Sequence, residues 1–386
     1  MRVGLFGICG FQKDMEAEGI GRFMVRLTEG LLSVNKHLEV FLVTDSLNSM
    51  VPIFSYIKSI YGNRLNFIVS NDVQWTNDNI AVDIWIVPYV VLPKALELRK
   101  PYIACLHDLG HIHFSDGPQD ETSQKYTQYL NAVASKVTAN AIAVVCNSNY
   151  VRECEGLQFL KLPRTKVTVI RLASPSEEYS HFGLLDEEIF RKKYDLVYPY
   201  IVYPSAIRFY KNHQRLIEAF INYRNSAECN HPKLFLVLTD SSSSYSKVHD
   251  ASQFDSIDPE IRLSILFSAT RFPAHEIPSL YHYAAATIIP TLFEGKFPSQ
   301  ILESLIMNTP VAFSNIPVTW ELATPGEGVI SFNPYSVDEI QRAIGQLLKN
   351  RENLIGQQVN AFATILSRTW KDVAQEYFEL IQEILR

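Results

Sequence analysis

The sequence predicts an α/β protein of two successive doubly wound units, each a parallel sheet crossed by helices. Three observations predict it. Short β-branched and aromatic runs alternate with helical patterns along almost the whole chain. The alternation breaks near the middle and starts again. A chain of 386 residues is also too long for one ordinary core and suits two domains of somewhat under 200 residues each.

Strands are expected at residues 3–8, 39–44, 66–69, 84–87, 102–106, 141–146 and 167–171, with helical stretches between them, which is the pattern of a parallel sheet with crossover helices. Residues 186–199, DEEIFRKKYDLVYP, are charged and end in a proline, so the boundary is placed there. A fresh strand at 200–204 follows, then strands at 234–239, 263–267, 286–290, 311–314 and 329–332. Helices are expected at 212–223, 274–282, 299–307 and 337–349. Both halves are therefore Rossmann-like: 1–185 forms the first unit and 186–368 the second. Residues 370–385 place Val373, Ala374, Tyr377, Phe378, Ile381 and Leu385 on one helical stripe, which must pack on something. The serine-rich run 241–246 reads as a mobile surface loop.

Composition excludes several classes. Hydrophobic residues are 47% and charged residues 20%, the balance of a folded globular protein. A net charge of -6 disfavours a nucleic-acid partner. The N-terminal MRVGLFGICGF is too short an apolar run for a signal peptide and reads as a first buried strand, and no stretch is apolar enough to span a membrane. The five cysteines, Cys9, Cys105, Cys146, Cys154 and Cys229, are odd in number and never in ligand spacing, which fits a reducing cytoplasm.

The strongest chemical signal is the run Pro290-Thr-Leu-Phe-Glu294-Gly295-Lys296-Phe297-Pro298-Ser299-Gln300-Ile-Leu-Glu303. A strand ends at Pro290, a glycine-containing loop with a carboxylate follows, and Pro298 stands where a proline opens a helix. Backbone N–H groups at Ser299 and Gln300 and the positive end of the helix dipole suit a diphosphate. Glu303 lies over one turn into the helix, where its carboxylate would reach the ribose hydroxyls of a nucleotide, and Glu294 would face a sugar carried on the diphosphate; the alternative is a loop carboxylate and a solvated helix residue. Gly19 and Gly21 precede an apolar helical stripe, either as a plain packing turn or as a backbone approach to an anion. His107 follows a buried strand at its carboxyl end, where such sheets meet ligands, although a structural histidine fits there too. His111 and His113 lack a second ligand cluster, so no metal is expected. Arg208 and Lys211 follow a strand and precede a helix, where their charges can neutralise phosphates, and an ordinary basic loop is the alternative.

Taken together these motifs resemble the retaining GT-B glycosyltransferases of family 4 (glycosyltransferase group 1, mannosyltransferase-like). The family motif reads E-G-F-G-L-P-x-x-E, with seven residues between the glutamates, where this chain has eight between Glu294 and Glu303. The resemblance runs over almost the whole chain. It covers Glu18 to Phe23, His107-Asp108, Asn147 to Tyr150, Lys211-Asn212-His213, and Ser314 to Pro317 leading to Glu321. It implies a GT-B fold of two facing units, an acceptor-binding first unit, a nucleotide-sugar-binding second unit, and residues 369–386 as a helix returning to the first. It also implies a retaining hexose transfer, leaning to mannose, onto a glycan or lipid-linked acceptor in bacterial surface polysaccharide synthesis. His107, Arg208, Lys211 and Glu294 take the catalytic places. Gly19, Gly21, Gly295, Lys296, Phe297, Pro298, Ser299, Gln300 and Glu303 bind the donor, with no cofactor and no metal.

The location expected is cytoplasmic. The basic stretch Lys161, Arg164, Lys166 and Arg171 reads either as a solvated loop or as a peripheral contact with the inner membrane. Rival readings are an epimerase or phosphorylase of the same fold, or a catalytically silent partner protein. A dehydrogenase would want GxGxxG directly after the first strand, and the glycines at 4, 7 and 10 do not give it.

Overall fold

The computed structural model describes residues 1–8, 19–45, 51–114, 121–229, 233–250, 254, 257–268, 272–323, 325–349 and 351–386, without the side chains of 51–55 and 121–123. Cys9 and Glu18 lie outside them. Contacts divide the chain into Met1–Ala173 with Arg368–Arg386, and Ser174–Ser367.

Among its described residues the first unit holds seven strands: β1 (Arg2–Gly7), β2 (Glu39–Thr44), β3 (Leu65–Val69), β4 (Ile84–Val87), β5 (Tyr102–Leu106), β6 (Ala143–Cys146) and β7 (Val167–Val169). All pair in parallel, in the order β3-β2-β1-β4-β5-β6-β7. Central strands read as unbroken apolar runs because both faces are covered. Alternation along β1 sends Val3 and Leu5 to one core and Phe6 to the other. Gly4 is required at its place, since a Cβ there would lie 2.1 Å from the Trp85 ring.

Helices Gly19–Val34 and Trp370–Ile384 share the first of these cores. The stripe of Val373, Ala374, Tyr377, Phe378 and Ile381 is buried, and at about 1.5–3 kcal/mol per large side chain it ties the end of the chain to the first unit. Thr369 and Asp372 form a capping box that starts this helix. Gly30 lets the two helices approach, for a Cβ there would meet Trp370 O at 2.6 Å.

The second unit holds β8 (Tyr200–Tyr203), β9 (Phe235–Leu238), β10 (Ile265–Phe267), β11 (Ala286–Ile289), β12 (Val311–Ser314) and β13 (Ile330–Phe332), again all parallel, in the order β10-β9-β8-β11-β12-β13. Residues 174–185, expected in the first unit, group with the second. The reason is packing: Tyr179 enters a core with Phe190 and Tyr200, and Leu185 N donates to Ser279 Oγ at 2.9 Å. The serine-rich run also departs from expectation. Ser242–Val248 is a helix, capped by Ser241 Oγ accepting from Ser244 N, and held by buried Tyr245, which meets Phe254 and Phe267 edge-on.

No helix among the described residues is long and apolar enough to cross a membrane. Within the basic stretch, Glu153 binds both terminal nitrogens of Arg164, and Lys166 Nζ donates to Ala139 O.

Candidate active site

The second sheet has the 3-2-1-4-5-6 order, and its reversal between β8 and β11 opens a crevice at the carboxyl ends of those two strands. Lys211 follows β8 and Glu294 follows β11, so the two strands that flank the reversal deliver the two side chains. They meet there: Lys211 Nζ bonds Glu294 Oε1, with the side chains only 14% and 13% exposed. Burial acts to depress the Lys211 ammonium, but the Glu294 carboxylate, with Tyr203 and Tyr210 adding to it, outweighs that and holds it above the ordinary lysine value.

Local bonding fixes the two loops to each other. Leu292 N donates to Tyr210 O at 2.7 Å, and Thr291 Oγ1 donates to Tyr210 O at 3.3 Å and Phe293 O at 2.8 Å. Asn212, in the left-handed region at φ 61° and ψ 32°, ends the short turn Phe209–Lys211. Arg208 opens that turn, extended and exposed, and its carbonyl accepts from Lys211 N at 3.0 Å.

After Glu294 the chain passes buried Gly295, half-buried Lys296 and Phe297, and buried Pro298 into helix Ser299–Ile306. Phe297 anchors this loop on Phe362, ring centroids 5.7 Å apart. No side chain caps the helix, which leaves its first N–H groups, at Ser299 and Gln300, facing outward from the helix end. The helix runs without a bulge and carries Glu303 as its fifth residue. Glu303 itself is 6% exposed, and its Oε2 accepts from Tyr281 OH at 2.8 Å.

In the first unit, His107 follows β5 and Asn147 follows β6, its neighbour in the sheet. Asn147 Nδ2 and His107 Nδ1 are hydrogen-bonded at 2.5 Å. The Phe23 ring meets the imidazole edge-on at 4.8 Å. Gly19 and Gly21 form the first turn of helix Gly19–Val34 rather than a turn ahead of it, with open space beside the Gly19 α-carbon. The helix start thus lies with His107 through Phe23.

The sequence does not single out Glu155. It stands on a nine-residue π-helix, Val151–Phe159, fully buried. Its Oε2 accepts from Leu109 N at 2.7 Å and its Oε1 bonds His113 Nε2 at 2.8 Å, bracing the loop after His107. Burial raises its carboxyl above the usual value, with the His113 bond opposing. His111 bonds Asn131 at 2.8 Å. No local pattern in VRECEGLQF signals this role, because the partners are about 40 residues away.

Comparison with known proteins fits these two sheets. Residues 186–360 match the family model of glycosyl transferases group 1. No curated protein sequence matches the chain. Among solved structures, HepE of Anabaena in complex with UDP-glucose is similar at a TM-score of 0.70 and 14% identity, covering 99% of each chain. A glycosyltransferase of Rickettsia africae is similar at 0.67 and 16%, covering 100% of this chain and 98% of that one. Sucrose-phosphate synthase of Thermosynechococcus elongatus follows at 0.67 and 15%, covering 99% and 98%. The second unit is thus similar to the group 1 glycosyl transferase model over residues 186–360, and the chain as a whole has the α/β GT-B fold of these solved structures.

Proposed function

We propose that this chain transfers a hexose from a nucleoside diphosphate sugar to a glycan or lipid-linked acceptor with retention of configuration. One observation carries the reading: a cation and a carboxylate, Lys211 and Glu294, meet at the strand reversal of the second sheet beside an uncapped helix N-terminus. In this reading Lys211, Arg208 and the N–H groups of Ser299 and Gln300 stabilise the leaving diphosphate, a role that asks for no metal. Glu294 binds the sugar hydroxyls. The bond from the sugar to phosphate loosens, positive charge develops at the anomeric carbon, and the acceptor hydroxyl enters from the same face, giving its proton to the leaving phosphate oxygen. His107 and the Gly19 helix start are the groups of the first unit proposed to meet substrate. A mannose donor and a surface-polysaccharide acceptor rest on the family resemblance alone, a cytoplasmic place on the cysteine pattern, and a membrane-peripheral one on the basic residues of 161–171.

The test is thermal stability of the purified chain with UDP, GDP, ADP or TDP, each with and without EDTA, UDP coming first because HepE is seen with UDP-glucose. A nucleotide at about 100 times its dissociation constant adds roughly 2.7 kcal/mol. One nucleotide should stabilise strongly and EDTA should change nothing, and the matching sugar nucleotides are then assayed for transfer. Stabilisation without turnover on any donor would favour a silent binding protein, and no stabilisation at all refutes the donor site.

A further inference from the structure

We propose that Asn212 is a positioning residue, whose side-chain amide clamps three loops and thereby sets where the Lys211 ammonium stands. The inference rests on the reading of Lys211 given above. Asn212 is 2% exposed. Its Nδ2 donates both hydrogens, to Pro290 O at 2.9 Å and to Pro334 O at 2.7 Å. Its Oδ1 accepts from Arg215 Nη1 at 3.0 Å, and that guanidinium lies over the Tyr335 ring at 5.4 Å. Pro290 begins the loop of Glu294, Pro334 follows β13, and Asn212 is bonded to Lys211 through the chain. One amide thus joins the Lys211 loop to both of the others.

The position demands this residue type twice over. A left-handed backbone at φ 61° favours glycine or asparagine, and only asparagine of the two has hydrogens to give the facing carbonyls. Aspartate fits the backbone, yet its ionised carboxylate only accepts and would face two acceptors.

The test is a kinetic cycle on Asn212→Gly, Lys211→Ala and the double variant, with transfer and donor affinity measured for each. Glycine keeps the left-handed turn, so the fold is retained while the clamp is lost. We expect kcat to fall on the order of 100-fold, as a displaced catalytic group does, with donor KM changed by less than about threefold. In the Lys211→Ala background, Asn212→Gly should cost no further turnover, because its effect acts through Lys211. If Asn212→Gly keeps its kcat, or if the two losses multiply, the proposal is overturned while the role of Lys211 stands. If Lys211→Ala turns over normally, the reading of Lys211 falls and the proposal falls with it. Should Asn212→Gly not fold, Asn212→Asp is put through the same cycle and judged by the same two outcomes.

Discussion

Replacing Lys211 by methionine leaves the Glu294 carboxylate without its cation, at a place where the two side chains are only 14% and 13% exposed. Breaking such a pair costs about 3 kcal/mol, the lower end for buried pairs, since the residual exposure lets water reach the carboxylate. In a unit the size of Ser174–Ser367 this lowers Tm by about 6–12 °C. Glu294→Gln should cost less, because the amide still accepts from the ammonium. The double variant Lys211→Met with Glu294→Gln carries neither charge, and its Tm should return to within a few degrees of the parent. Calorimetry of the four proteins without nucleotide measures the coupling. Activity should not follow stability: both proteins lacking Lys211 should turn over about 100-fold more slowly or worse, as on losing one preorganised donor. Singles whose Tm losses simply add in the double would refute the pair as an energetic unit. Recovery of turnover along with Tm would refute the role of the lysine.

Gly30→Ala drives a methyl group to 2.6 Å from Trp370 O and 2.7 Å from Ala374 Cβ, so helices Gly19–Val34 and Trp370–Ile384 must part. Urea unfolding should show a loss of about 1–3 kcal/mol, against a gain where helix propensity alone decides. His213, fully buried and stacked on Tyr203, has its pKa lowered to about 3 by burial first and by His249 and Lys211 after it. Its folded pKa is below the unfolded one, so the stability it contributes is complete above pH 6.5 and is lost as pH falls from there towards 3. His213→Leu should therefore flatten the acid limb of stability against pH between those values, and a variant as acid-sensitive as the parent would contradict it. Burial pushes the Cys105 thiol up to about 12, with its Sγ 3.4 Å from Tyr377 OH, and drives the Cys146 thiol up as well. Mass spectrometry after iodoacetamide treatment of the native protein should find both unmodified, and modification of either would count against buried, inert thiols.

Much of this fold is legible because buried parallel strands must be apolar, and each of the thirteen strands among the described residues corresponds to an apolar run in the sequence. What escapes is decided by contacts distant in sequence. The serines of 241–246 read as a loop, yet one buried Tyr245 makes the segment a helix. The charge of 186–199 reads as the boundary, yet Tyr179 and Leu185 bond residues 174–185 into the second unit. Asn212 appears in the sequence only as the neighbour of a lysine, because its partners Pro290 and Pro334 lie 78 and 122 residues on.

The two glutamates show the same limit inside a single motif. Spacing locates a residue along a helix, but the direction of its side chain is read from an apolar stripe. Helix Ser299–Ile306 has no such stripe to read, since residues 301 to 305 are all buried. Glu294, in a loop, is placed by the bonds from Leu292 N and Thr291 Oγ1 to Tyr210 O, and it reaches Lys211. Glu303 is placed by helix phase, and that phase turns Oε2 to Tyr281, a residue nothing in the motif announces. A carboxylate so held has a fixed orientation before any ligand arrives. In the proposed function, that fixed orientation, rather than the distance from Glu294, is the property by which Glu303 would hold a ribose.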